Sequence, residues 1–273
     1  MSCLITEQGG GMEFTIKRVE TQEELESVYR VVHDAYVSEG YSQPQPDGKL
    51  RIYKRYDHLP ETTIFIAIEN DGTVIGTASI TGNNVTGLPM REDFPDDFDK
   101  IAHRTRVCGR YLGGCWRIAT KSNLRNSLSV VLHLIKALLE EAAAKEIHEM
   151  VYVFNPKHVK FYERMLGFVT VCERDVGAVK APGVLMYSDM RHTVSKFLEI
   201  CLKRKIQTNV TIKDFWWPTA TAKPISFWDF IGMIPDISVA LIAYPIFWIF
   251  YICDKLFPVT ITKDSSVLDE FTD

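Results

Sequence analysis

Several residues whose side chains carry charge or exchange protons stand at the predicted ends of secondary-structure elements. His33 titrates near neutral pH and could accept a proton from an amine, and Asp34 follows it at the end of a predicted helix. The alternative is a partly buried histidine with a structural hydrogen bond. Asp57 and Glu61 bracket His58 near a strand start and could bind an ammonium group, although a solvated loop face explains them equally well. Asp34, Asp57 and Glu61 are therefore the candidates for binding an amine substrate.

A second set of candidates follows two predicted buried strands. Backbone amides of Arg117, Ile118 and Ala119, at the point where two parallel strands would splay, could stabilise a developing oxyanion. The side chain of Arg117 either takes part or points outward as a surface charge, and its position in the sequence does not decide. Positive charge also concentrates on the rim of the predicted cleft, at Lys121, Arg125, Lys157 and Lys160. Such a rim would attract an acidic partner protein, and a scattered, solvated face is the alternative.

Residues 111–168 supply the elements that must position these groups. We predict a buried strand over 111–120, an amphipathic helix over 127–145 and a second buried strand over 150–154. Asn155 and Pro156 end the second strand, and a further helix stops at Gly167. Two buried strands joined by a helical crossover form a βαβ unit, whose ligand site lies beyond the carboxyl ends of the strands. The site is therefore predicted at residues 119–125 and 154–158.

The other predicted elements surround this unit. Thr21 and Glu24 have the spacing of a capping box at the start of the first helix. The remaining predictions are a hairpin over 63–69 and 74–81, loops over 41–50 and 87–99, and closing strands over 169–174 and 183–190. The fold class that follows is α/β (α+β), with a mixed central sheet flanked by helices.

The composition excludes several classes of protein. The formal net charge of −4 argues against a nucleic-acid binder, which is usually basic. Six cysteines are scattered without a C-x-x-C pair, which predicts reduced thiols and no metal site. The first residues lack an apolar signal core, so we expect a cytoplasmic protein.

The character of the chain changes after Met190. We predict a flexible leader over 1–12, a catalytic domain over 13–191, a hydrophobic helical extension over 192–260 and a tail over 261–273. Residues 237–253 carry no charge but contain Pro245, and their length is at the lower edge of the ~17–25 residues that span a bilayer. This pattern favours peripheral or monotopic membrane association through residues 215–257. The alternative is a segment that folds over the core and lines an acyl channel.

Five sequence stretches, taken together and in their order along the chain, are specific enough to indicate a family. They are VVHDAYVSEGY (31–41), RYDHLPETTIFIA (55–67), VIGTASI (74–80), GLPMREDF (87–94) and PKHVKFYERMLGF (156–168). Together they resemble the FeeM-type N-acyl amino acid synthases, a family related to acyl-homoserine-lactone autoinducer synthases with a GNAT-like acyltransferase fold. The resemblance implies transfer of a long acyl group to a small amine, from the phosphopantetheine thioester of an acyl carrier protein or from acyl-CoA.

The resemblance also implies roles for several residues. Tyr162 becomes the candidate acid for the leaving thiolate, with His33 as base and Arg117 near the oxyanion. YERMLGF has one residue more than the usual GNAT spacing, which turns a helical side chain by about 100°, so a packed tyrosine is the alternative. Asn155 could hydrogen-bond a pantetheine amide, and helix capping is its alternative. Ile118, Ala119, Lys121, Arg125 and Lys157 complete the candidates for binding the acyl donor.

The chain departs from the family pattern at two places. Gly114 stands in GGCWRIAT where the family usually has a glutamate. The turn before the long helix, LRNSLS (124–129), has none of the glycines that let the pyrophosphate of CoA approach a backbone. The second departure favours a carrier protein over CoA as donor.

Three functions remain open at this level. The first is a long-chain N-acyltransferase that uses acyl carrier protein, supported by the retained HDAYVSEGY and FYERMLGF stretches. The second is an acetyl-CoA-dependent GNAT acetyltransferase. The third is a membrane-associated acyl- or lipid-binding protein without catalysis, which Gly114 and the apolar extension favour.

Overall fold

A mixed sheet forms the centre of the molecule. The structure, a computed structural model, describes residues 3–5, 13–121, 124, 127–177, 179 and 181–215. The described strands form one sheet in the order β1-β2-β3-β4-β5-β6-β8-β7. Their bounds are β1 (Cys3–Ile5), β2 (Phe14–Arg18), β3 (Thr62–Glu69), β4 (Val74–Gly82), β5 (Leu112–Thr120), β6 (Glu149–Phe154), β7 (Val169–Val176) and β8 (Ala181–Asp189).

Helices cover both faces of this sheet. Their bounds are α1 (Gln22–Ser38), α2 (Pro95–Val107), α3 (Ser127–Ala144), α4 (Pro156–Leu166) and α5 (Met190–Arg204). Helices α3, α4 and α5 bury their apolar residues in one cluster, whose sheet residues include Phe65 and Ala67. Helix α1 packs with the alternating Ile64 and Ile66, and hence on the opposite face. The predicted fold class, α/β (α+β) with a mixed central sheet flanked by helices, is confirmed.

Strands β5 and β6 are the parallel pair predicted from the βαβ pattern. Their pairing runs from Leu112 opposite Glu149 to Cys115 opposite Tyr152 and then stops, although both strands continue. On the other side of β5, Thr77 faces Ala119 and Ser79 faces Trp116, so two residues of β5 oppose one of β4. This is a β-bulge, which bends a strand and redirects its side chains. The bulge and the separation from β6 together open a gap at the carboxyl end of β5.

Local sequence signals place the ends of the helices. Thr21 and Glu24 form the predicted capping box on α1, and the side chain of Asn155 accepts a hydrogen bond from the amide of Lys157 at the start of α4. Gly167 ends α4 with a φ of 69°, a left-handed conformation that glycine adopts without strain. The alternative interpretation of Asn155 as a helix cap is therefore correct.

Three predicted boundaries need correction. Helix α2 begins inside the stretch 87–99 that we predicted as an irregular loop. Residues Cys3–Ile5, assigned to a flexible leader, pair with β2. Helix α5 buries Val194 and Phe197 completely, and Phe215 joins the same apolar cluster, so the folded domain extends to Phe215 rather than ending at 191.

The predicted membrane-associating segment lies almost wholly outside the described residues. Residues 216–273, which include most of that segment and the tail, are not among them. Within the described part of the chain, no helix combines the length and apolar character needed to cross a bilayer.

Candidate active site

A cleft of about 120 Å³ lies where β5 and β6 separate. Its floor is largely apolar, with contributions from Met90, Val153 and Phe154. The polar and aromatic groups that line it are Tyr36, Tyr41, Tyr53, Trp116, Arg117, Asn155 and His158. A concave, mainly apolar pocket with a few convergent polar groups is the usual form of a ligand site, and this one coincides with the carboxyl ends of the parallel strands.

Arg117 is the most unusual residue of this cleft. It occupies the β-bulge with a φ of 53°, and only 4% of its surface is exposed. One terminal nitrogen, Nη2, donates to a carboxylate oxygen of Asp57, whose other oxygen accepts the hydroxyl of Tyr29 at 2.5 Å. The guanidinium also lies 3.9 Å from the ring of Trp116, a cation–π contact. The bulge therefore turns Arg117 inward, which excludes the alternative of a surface charge.

Two nitrogens of Arg117 have no hydrogen-bond partner among the residues that the structure describes. Both Nε and Nη1 are buried, and no acceptor among the described residues reaches either of them. Burial lowers the pKa of Arg117, while Asp57 opposes the shift, and a guanidinium stays charged in proteins. An unpaired buried donor is costly, more so when it is charged, unless a ligand supplies the acceptor. Arg117, a residue of the cleft lining, thus carries charged donors suited to a carboxylate or a carbonyl oxygen.

A side chain at Gly114, where the resemblance implies a glutamate, would have to displace the buried side chains of Met90 and Leu88. A Cβ atom built on Gly114 would lie 2.9 Å from Sδ of Met90 and 3.3 Å from Cδ1 of Leu88. Both side chains are buried in the apolar cluster beside β5. Methionine and leucine therefore fill the space into which a carboxylate side chain would extend.

Replacing Gly114 by Glu is expected to destabilise the fold. Overpacking a core typically costs about 1–3 kcal/mol, and an unpaired buried carboxylate adds to that cost. The free energy of unfolding, measured by denaturant titration, should fall by at least this amount. Gly114→Ala is the matched control and should show the steric part alone. A Gly114→Glu variant as stable as the native protein would contradict the packing.

His33 is held by two structural hydrogen bonds. Its Nε2 accepts the backbone amide of Gln45 at 3.0 Å, so Nδ1 carries the proton that is donated to Asp34 at 2.9 Å. His33 is not among the residues that line the cleft. The structure thus supports the alternative interpretation, in which His33 attaches the 41–50 loop to α1, and it does not place His33 as a base. Asp34 accepts this hydrogen bond from His33.

Tyr162 belongs to an aromatic stack behind the cleft. Its ring lies 3.8 Å from that of Phe154 and 5.5 Å from that of Phe168, nearly parallel to both. Burial raises the pKa of Tyr162. The side chain is absent from the cleft lining and belongs instead to the apolar cluster that includes Leu138 of α3. The predicted acid is therefore a packed tyrosine, as the extra residue in YERMLGF suggested.

The rim of the cleft connects α1 with α4. Lys157, near the start of α4, forms an ion pair with Glu39 at the end of α1, and its ammonium lies 5.1 Å from the ring of Tyr41. Both partners of the ion pair are about half exposed, at 44% and 47%. His158 follows Lys157 and lines the cleft, with no hydrogen bond to its ring within the described part of the chain. This rim is accessible and carries the ion pair of Lys157 with Glu39.

The predicted site residues thus divide into three groups. Arg117, Ile118 and Asn155 line the cleft, with Asp57 behind Arg117 and Lys157 on the rim. The structure places the others away from the cleft lining: His33, Asp34, Glu61, Ala119, Lys121 and Tyr162. Arg125 lies outside the described residues. Among the described residues, no group of three or more His, Cys, Asp or Glu side chains is placed to hold a metal ion.

Sequence reasoning missed most of the aromatic lining. Tyr36 and Tyr41 come from α1 and the loop after it, and Tyr53 comes from the far end of that loop. Nothing in their local pattern distinguishes them from core tyrosines. The carboxyl end of the second parallel strand did provide a signal for His158, since the predicted ligand-binding stretch 154–158 ends at this residue.

Comparison with known sequences identifies one family. The sequence model of the N-acyl amino acid synthase FeeM family matches residues 27–189, which include all of the residues that line the cleft. A search among curated protein sequences found no match.

Comparison with solved structures gives related folds. FeeM, an N-acyl amino acid synthase from uncultured soil microbes, is 21% identical, with a TM-score of 0.58 over 69% of this chain and 96% of that chain. BjaI, a CoA-dependent acyl-homoserine lactone synthase solved with SAM and isopentyl-CoA, is 18% identical, with a TM-score of 0.52 over 74% of this chain and 93% of that one. LasI, an AHL synthase, is 16% identical, with a TM-score of 0.51 over 69% and 96%. At these identities the likeness establishes the fold.

Proposed function

Because the chain belongs to the N-acyl amino acid synthase FeeM family and is an N-acyltransferase by that membership, we propose that it moves a long-chain acyl group from an acyl carrier protein to the amine of an amino acid. The reaction needs three things of the protein: a site for the thioester arm, a site for the acceptor, and donors for the oxyanion that forms on the thioester carbonyl. The cleft between β5 and β6 can provide each of them.

One observation carries the choice of an amino acid as acceptor. Arg117 lines the cleft, two of its buried nitrogens have no acceptor among the described residues, and an amino acid brings a carboxylate. A guanidinium is the side chain best suited to carboxylates, because its planar, charged donors match their oxygens. Asp57 and Tyr29 fix the orientation of the guanidinium from behind and leave those two nitrogens for the ligand.

The donor site follows from the unpaired edges of the two strands. Beyond Cys115 and Tyr152 the strands no longer pair with each other, so their backbone groups face the gap. An extended pantetheine arm carries amides that can bond to such edges, and a backbone amide near Ile118 is our candidate for the oxyanion role. The absence of glycine from 124–129 and the lysines Lys157 and Lys160 of α4 support a carrier protein over free CoA.

Charge reversal on the rim should weaken the use of the carrier protein. Lys157→Glu combined with Lys160→Glu is expected to raise the KM for an acyl-carrier protein about tenfold, because steering by exposed charges is lost. The effect should be larger at low salt, where screening is weaker. Lys196→Glu on α5 is the matched control, since Lys196 is similarly exposed at 41% and lies outside the cleft lining. Equal KM values at all salt concentrations would contradict carrier docking at this rim.

We further propose that residues 215–257 hold the enzyme at a membrane, where a long-chain product would partition. The support is the uncharged run 237–253 and the nearby tryptophans, among them Trp228 and Trp248. The full chain should sediment with membranes, whereas a chain ending at Phe215, which retains α5 and its core contacts, should not. If both stay in the soluble fraction without detergent, the membrane proposal is wrong and the acyl-channel alternative gains support.

The proposed function is tested by the products that the protein makes in a cell. Lipid extracts of bacteria that express the full chain should contain N-acyl amino acids that are absent from cells carrying the empty vector, as seen by mass spectrometry. Gly114 favours one competing function, a binding protein without catalysis. That competitor predicts unchanged lipid profiles together with fatty acyl chains that copurify with the protein.

A further inference from the structure

The amine acceptor must lose a proton before it can attack a thioester. An amino acid carries an ammonium group near neutral pH, and only the free amine is a nucleophile. In this chain Met90 and Leu88 occupy the space beside Gly114, so no glutamate reaches the cleft from that position of β5. The proton must therefore pass to another group of the cleft, if the proposed function holds.

The described residues that line the cleft leave a single candidate. They include no aspartate or glutamate. Burial raises the pKa of Cys115 and of Tyr53, and it raises the pKa of Tyr36 to about 12, so these groups are protonated near neutrality. Arg117 is a permanent cation that accepts no proton. Among the described lining residues, the imidazole of His158 is the side chain that can take up a proton at neutral pH.

The surroundings of His158 fit this role. It lies in the first turn of α4 and lines the same cleft as Arg117, and its ring makes no hydrogen bond within the described part of the chain. Partial burial and the neighbouring Lys157 lower its pKa below the usual 6.5, while Glu39 acts in the opposite sense. The ring is therefore neutral at physiological pH, with a lone pair free to accept a proton.

We propose that His158, which lines the cleft beside Arg117, is the general base of this enzyme. The ring accepts one proton from the acceptor's ammonium group. The free amine then attacks the thioester carbonyl, a carbon–nitrogen bond forms and the carbon–sulfur bond breaks. The second proton of the attacking nitrogen passes to the leaving thiolate, which departs as the thiol. His158 releases its proton to solvent, so one proton is produced for each amide formed.

A pH profile of the His158→Gln variant tests this assignment. Glutamine keeps hydrogen-bonding capacity on an exposed rim but cannot act as a base. At pH 7 we expect kcat/KM to fall about 10²- to 10⁴-fold, the usual contribution of a general base. The native enzyme should reach a plateau above the pKa of His158, whereas the rate of the variant should continue to rise with pH until the acceptor amine itself deprotonates. Added imidazole should restore part of the lost rate.

His33→Gln is the matched control, because the same substitution then falls on a histidine that attaches a loop. Its pH profile should keep the shape of the native profile, and imidazole should not change its rate. A His158→Gln variant with the native rate and profile, in a protein that forms N-acyl product, would overturn the assignment and leave the proposed function standing. A native protein that forms no N-acyl product with any amine would overturn both.

Discussion

Replacing Arg117 by Met is expected to lower the free energy of unfolding by about 3–5 kcal/mol, the cost of breaking a buried ion pair from one side. The substitution leaves Asp57 with a side chain that is fully buried and without its cation. Tyr29 still donates to one carboxylate oxygen but supplies no compensating charge. Denaturant unfolding of the purified variant measures the loss directly.

The double variant Arg117→Met with Asp57→Asn is the control for this prediction. It removes both charges and keeps an amide oxygen that can accept the hydroxyl of Tyr29. Replacing a buried pair by neutral groups of similar volume is often close to neutral, so most of the lost stability should return. A single Arg117→Met variant as stable as the native protein would contradict the buried pair, as would a double variant no more stable than the single one.

The same double variant should lose its selectivity for acceptors that carry a carboxylate. Hydrogen bonds to charged groups contribute about 1.5–3 kcal/mol each, so kcat/KM for an amino acid should fall roughly tenfold to a hundredfold when the guanidinium is absent. The corresponding amino acid amide lacks the carboxylate and should be little affected. Steady-state kinetics with both acceptors, on native and double-variant protein, measure the change.

The amide serves as an internal control for damage to the rest of the site. A loss that is equal for the acid and the amide would mean that the cleft has been distorted, and it would remove Arg117 from acceptor recognition. Selective loss with the acid alone supports a direct contact between guanidinium and carboxylate.

Where a single local signal governs a segment, the sequence alone was sufficient to predict its secondary structure. The helical spacing of apolar residues predicted α3, and the short apolar run before Asn155 predicted β6, because each buries its apolar side chains in the same sheet core. The capping box at Thr21 located the start of α1 to the residue. From these elements the βαβ unit and its ligand edge follow by the handedness and connectivity of parallel strands.

The start of helix α2 was predicted as a loop because its residues are also typical of loops. The stretch 87–99 contains two prolines, a glycine and several acidic residues, which together are typical of a loop. Pro95 in fact occupies the first turn of the helix, where its missing N–H costs nothing, and Asp96 and Asp97 follow at the positive end of the helix dipole. Proline and acidic residues are therefore favoured both in loops and in the first turn of a helix, and the sequence alone did not distinguish the two.

The assignment of site residues depended on tertiary structure that the sequence does not contain. Arg117 and Asp57 are 60 positions apart, and the bulge that turns Arg117 inward depends on the register between β4 and β5. His33 and His158 both lie on helices near predicted loops. Only the folded structure shows that the backbone amide of Gln45 donates to the ring of His33, whereas His158 lines the cleft.

The most direct test of the central claim is the reaction of the purified full chain with a long-chain acyl carrier protein and an amino acid. Mass spectrometry should detect the N-acyl amino acid together with the free thiol form of the carrier protein, formed in equal amounts. Acyl-CoA offered at the same concentration should give less product. Carrier protein that stays acylated in the presence of every amino acid tested, or that is only hydrolysed, would contradict the assignment of this cleft to N-acyl transfer.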